Sequence, residues 1–213
     1  MNSGKIKHMK KCLLLFFILS LFIISAQAQV RFGLKSGLNI SNFYGDDAGD
    51  LDSKLGFVGG FFITYQSENL FVLQPEVSYS TKGATVKIEN INFTLAYDYI
   101  EIPILLKFPF NLADNQSIKP VLFAGPFVAF KTKAKITFKV NGESEQKDIP
   151  SVTPRDFGFQ FGGGLGFNLG KYELGFDIRY ILGLASVDKS TNSFDIKNRV
   201  INFNICFCFA NMR

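Results

Sequence analysis

Between Phe157 and Phe167 the chain reads FGFQFGGGLGF, with large apolar residues at five of the odd positions and Gly158, Gln160, Gly162, Gly164 and Gly166 at the even ones. Side chains of an extended segment alternate between two faces, so this period belongs to a β-strand with one greasy side and one nearly bare side. A helix would scatter both classes around its circumference. The same period recurs over Val30–Ile40, Leu55–Tyr65, Leu70–Lys82, Tyr99–Phe108, Pro120–Phe130, Tyr172–Tyr180 and Ile201–Phe209. Eight such segments, with no convincing helical period after residue 28, predict an all-β antiparallel sandwich or barrel.

The connections separate those two folds. They are short after the second, fourth and sixth segments, as at Gln66-Ser67-Glu68-Asn69 and Asn168-Leu169-Gly170-Lys171, and long and polar after the first, third, fifth and seventh. The longest, Lys131–Pro154, contains Asn141-Gly142, a hairpin signal that extends the flanking strands as a ribbon beyond the sheet. Short turns at one end, long loops at the other and both termini on the short side predict an eight-stranded antiparallel up-and-down transmembrane β-barrel.

Volume then decides which face is inside. An eight-stranded barrel has an interior just wide enough for side chains to fill, and the apolar parity carries far more bulk than that. Large residues therefore point outwards, in the fifth segment Val121, Phe123 and Phe127, and glycine and charge point in. A coat of Phe, Ile and Leu matches hydrocarbon and not water. In the segment YIEIPILLKF the Ile row faces lipid, while Glu101 and Lys107 face the lumen and Pro103 removes one ladder hydrogen bond at a bulge or local irregularity. Charges in so narrow a space must be paired. Glu76, Glu101, Glu173 and Asp177 are expected to neutralise Arg31, Lys35, Lys107 and Arg179 in a structural network that reads as a plug.

The N-terminus carries an address. Lys5, Lys7, Lys10 and Lys11 precede the apolar run Cys12–Ile24, which is too short to cross a bilayer as a helix, and Ala26-Gln27-Ala28 offers a small-x-small cleavage site. Residues 1–28 read as a secretory signal and 29–213 as the mature barrel domain. Removing the signal lowers the formal net charge from +5 to about +1, so the basicity belongs to targeting, and no nucleic-acid partner is implied.

Little in the mature chain invites catalysis. The one histidine, His8, lies in the signal, which excludes a histidine base, and no enzyme activity, cofactor or metal is expected. GGGLGFNLG, Gly162–Gly170, lacks the helix that a phosphate loop would open. Asp46, Asp47, Asp50 and Asp52 crowd the first long loop without the EF-hand order, which favours a solvated loop over a calcium site. Cys206 and Cys208 lie two apart on one strand face and are expected to be free thiols filling the lumen. Lys131, Lys133, Lys135 and Lys139 keep a ribbon soluble or meet lipopolysaccharide headgroups.

The ordered series GLKSGLN, LQPEVSYSTKG, YIEIPILLK, FAGP, FGFQFGGGLG and DIRYILGL resembles the PorT-like outer-membrane β-barrel proteins over nearly the whole mature chain. That resemblance implies an integral outer-membrane barrel whose partners are outer-membrane lipid and, at its loops, lipopolysaccharide or envelope proteins. The family's namesake is a component of a secretion and gliding system, a role that membership alone does not carry across. Two rival readings are a narrow gated channel and a soluble periplasmic lipocalin-like barrel. The second would turn the large apolar residues inward.

Overall fold

Each alternating segment is a strand, and most run well past the apolar residues that revealed them. The computed structural model describes residues 29–49, 51–67, 71–88, 91–110, 117–140, 143–149, 153–187 and 195–209. The expected signal, residues 1–28, lies outside them, as do Asp50, Asn141-Gly142 and residues 210–213. The strands are β1 (Gln29–Tyr44), β2 (Asp52–Ser67), β3 (Phe71–Ile88), β4 (Ile91–Pro109), β5 (Ile118–Val140), β6 (Glu143–Asp148), β7 (Arg155–Leu169), β8 (Tyr172–Ser186) and β9 (Lys197–Cys208). Every pairing is antiparallel. β1 pairs with both β2 and β9, and β4 with both β3 and β5, so eight strands close into a barrel. Among the described residues β6 pairs only with β5, which makes it the returning leg of the ribbon beyond the barrel wall.

Outward-facing apolar residues form a continuous band. Phe32, Leu34, Leu38 and Ile40 of β1 are exposed, as are Leu55, Phe57, Phe61 and Ile63 of β2 and Phe157, Phe159 and Phe161 of β7. Nine residues from Phe32 to Ile40 rise roughly 30 Å along the strand. Tilted by about 40°, that matches the roughly 25 Å apolar height of an outer-membrane barrel. A lipocalin-like interior is thereby overturned, because the large apolar side chains cover the outside.

Three expectations need correction or narrowing. In β5 it is Phe123 and Phe127 that are buried, at 3% and 4% exposure, while Leu122 and Ala124 face out. Both parities of Pro120–Phe130 carry apolar bulk, so alternation alone left the face ambiguous, and cations inside the lumen take those two rings. Next, of the two alternatives at Pro103 it is the local irregularity and not a bulge that is found: Pro103 pairs in register with Phe127 of β5. The β3–β4 ladder lapses between Pro75–Ile104 and Ser78–Glu101 without changing register. Finally, the connection after β3 is no long loop: β3 and β4 pair as far as Ile88 and Ile91.

Glycine makes room for the rings that do enter. Gly33 pairs with Phe62 across β1 and β2, and a Cβ built on Gly33 would lie 2.1 Å from the Phe62 ring. One large side chain inside thus requires one missing side chain opposite it.

Candidate functional site: the lumen and its two ends

Because alternate residues of one strand share a face, Gln74, Glu76, Ser78, Ser80 and Lys82 of β3 form an unbroken buried polar row. Asp177 and Arg179 of β8 are spaced in the same way. At mid-barrel Arg179 joins them: its Nη1 donates to Glu76 Oε1 at 3.0 Å and Oε2 at 2.9 Å, and its Nη2 donates to Asp177 Oδ2 at 2.7 Å. Lys35 also pairs with Glu76, and Gln74 Nε2 donates to Glu76 Oε1 at 2.7 Å. The guanidinium lies over the Phe123 ring at 5.2 Å, so the inward ring presents its negative face to the charge. Lys107 is held more loosely, 3.9 Å from Asp177 and 5.3 Å from the same ring.

A second cluster lies nearer the long-loop end. Lys82 meets Glu101 at 2.5 Å, and Gln160 Nε2 donates to Glu101 Oε1 at the same distance. The Lys82 ammonium sits 4.8 Å from the Phe127 centroid and 5.4 Å from that of Tyr99. Asp156 accepts from Asn198 Nδ2 at 2.9 Å. An amide ladder ties the wall of β1 and β9 together: Asn202 Nδ2 donates to Asn39 Oδ1 at 3.0 Å, and Asn39 Nδ2 donates to Ser80 Oγ at 3.0 Å. At the short-turn end, Arg31 Nη1 donates to Glu173 Oε2 at 3.1 Å in a half-exposed pair.

All eight residues singled out from the sequence thus face the lumen, and each lies within ion-pair distance of an opposite charge. Sequence reasoning missed Lys82 and Asp156. Lys82 closes the polar parity of its segment, and its small neighbours gave no hint that it meets Glu101. Asp156 shares the parity of Gly158 and Gln160 but lies one residue before the first Phe of that strand. Cys206 and Cys208 are free and buried on the lumen side, the Cys206 thiol 3.6 Å from Asp177 Oδ2.

Beyond the band, β3 to β6 continue as a four-stranded crown. Its inner face is apolar: Ala84 pairs with Leu95, Val86 with Phe93, and Phe93 packs edge-on against Phe138 at 5.4 Å. Its outer face carries Thr85, Lys87, Thr94 and Lys139, with the Thr85 and Thr94 hydroxyls 3.3 Å apart. Asp47 and Asp52 of the first long loop are engaged, Asp47 Oδ2 accepting the Asp195 N–H at 2.8 Å and Asp52 pairing with Lys87 at 2.9 Å. At the same rim, the hydrogen bond from Lys197 to Asp195 raises the pKa of that lysine. A concavity of about 1320 Å³ lies on the outer apolar face among Leu34, Leu38, Phe57, Phe61 and Phe203, where Ser36 and Gly59 leave a hollow for hydrocarbon.

Residues 25–189 match the family model described as outer membrane protein beta-barrel domain. The chain belongs to that family. It is therefore a barrel of the outer membrane, as the apolar band requires. No curated protein matches it in sequence. Among solved structures, it is similar to the neisserial surface protein A at 15% identity, covering 82% of this chain and 95% of that one with a TM-score of 0.46. It is also similar to Ail of Yersinia pestis, at 16% identity, 85% and 99% coverage and a TM-score of 0.42. The N-terminal β-barrel domain of Pseudomonas aeruginosa OprF aligns at 11% identity, with 86% and 100% coverage and a TM-score of 0.39.

Proposed function

We propose that the protein is a non-catalytic outer-membrane barrel whose lumen is closed by its own ion pairs and whose working surface is the crown and loops at the long end. The observation that carries this reading is the Arg179 clamp, a fully buried guanidinium held by Glu76 and Asp177 across the middle of the lumen. With Lys35, Lys107 and the Lys82–Glu101 pair, it engages Glu76, Asp177 and Glu101 with cations, while Asp156 accepts from the Asn198 amide. That engagement supports a structural role. In the usual arrangement of such barrels the short turns face the periplasm and the crown faces outward. Lys133, Lys135 and Lys139 then lie on the crown where anionic lipopolysaccharide headgroups or envelope proteins would meet them. The finer PorT-like assignment and export through a cleavable signal over residues 1–28 belong to the same reading, supported by the strand motifs and by Ala26-Gln27-Ala28.

Purified protein reconstituted in planar bilayers tests the closure. The expected trace shows no unit openings at moderate voltage, and discrete single-channel currents from the wild-type barrel would replace the plug with a pore.

A further inference from the structure

The lumen is not charge-paired to the same standard along its length. Opening at the short-turn end is a cavity of about 100 Å³, lined by Arg31, Thr64, Gln66, Lys107, Lys119 and Glu173 among others. Three cations meet one carboxylate there. Arg31 gives one nitrogen to Glu173, while its Nε is buried and lacks a hydrogen-bond partner among the described residues. Among the described residues the ion pair of Lys107 is a loose one, 3.9 Å from Asp177, and that carboxylate already takes the shorter bond from Arg179. Lys119 makes no ion pair among the described residues, although it lines the same cavity.

A buried donor without an acceptor and a cation without a counterion cost free energy unless something supplies both. The cavity holds a few waters at roughly 30 Å³ each, enough for one carboxylate or phosphate group and too little for a sugar or nucleoside. Arginine offers a planar fork and lysine a mobile point charge, the combination suited to a compact oxyanion. We infer that this vestibule is a binding site for a single carboxylate or phosphate group entering from the side of the short turns, held by Arg31, Lys107 and Lys119. Glu173 fixes the Arg31 side chain.

Isothermal titration calorimetry on the purified barrel in detergent, with inorganic phosphate and separately with a short acidic peptide at matched ionic strength, tests this. The two arms separate a free oxyanion from one carried on a chain. Binding of either probe that weakens at least tenfold in Lys119→Gln, and survives in the crown variant Lys139→Gln, is the expected result. Lys119 makes no ion pair among the described residues, so the heat-dependent gel mobility of the folded barrel is expected to stay intact as a control. Equal binding by Lys119→Gln and wild type, or heats no greater than those of chloride for both probes, would overturn the inference.

Discussion

The membrane band and the crown are continuous strands of one sheet, yet they are coloured in opposite senses. In the band, β3 turns Val77 and Tyr79 outwards and Glu76, Ser78 and Ser80 inwards; past Gly83 the same strand turns Lys87 outwards and Ala84 and Val86 inwards. β4 makes the matching switch, from Phe93, Leu95 and Tyr97 inside the crown to Glu101 inside the band. The level of inversion marks where the surrounding solvent changes from hydrocarbon to water. β5 adds a device of its own: Asp98 pairs with Lys133 and Tyr99 with Lys131, so Thr132 is an extra residue that shifts the parity of everything beyond it. Its hydroxyl donates to the Asp98 carbonyl at 3.1 Å. What counts as an interior thus depends on the outer medium.

The strongest way to break the comparison is through the charged interior of the band. Arg179→Met leaves Glu76 and Asp177 short of their common cation and should cost about 3–5 kcal/mol, the effect of removing one partner of a buried pair. Urea unfolding in lipid vesicles measures it, and an unchanged midpoint would mean that the pairs are solvated. The outer faces supply the next contrast. Phe61→Arg, near the middle of the band, should destabilise by about 2–4 kcal/mol, whereas Thr94→Arg on the crown should stay within about 0.5 kcal/mol. Equal costs at the two sites would move the membrane boundary. The most local effect concerns the crown's inner face. Phe138→Ser removes the edge-on contact with Phe93 and should cost about 0.5–1.5 kcal/mol. It should appear as faster amide exchange over residues 91–97 and 133–140, with the barrel midpoint unmoved.

Much of this was legible in the sequence because a barrel in lipid writes its pattern on every strand. The rows Phe32–Ile40, Phe157–Phe167 and Ile201–Phe209 face the expected way, since their inward partners are glycine or polar residues and cysteine and no large apolar side chain competes for the inner face. The eight charged residues were found by the same parity. What failed was any inference that small residues alone occupy the lumen. Phe62, Phe123, Phe127 and Tyr99 are inside because specific vacancies and cations receive them, Gly33 for the first and Arg179 and Lys82 for the next two. Those matches join residues far apart in the chain, and no single strand records them. The crown was obscured for a different reason. Its alternation over Ala84–Ile88 and Ile91–Tyr97 is as regular as that of the band, but with the colours exchanged it reads as a polar loop until the register is known.

Cys206 and Cys208 add one practical consequence. They are the two thiols left once residues 1–28 are set aside, and both sit on the inner wall of the last strand. In a chain cleaved after Ala28, as proposed, alkylating reagents too large for the shaft have no other sulfhydryl to modify, so the rate of labelling becomes a built-in gauge of how often the staves part, read with no reporter introduced.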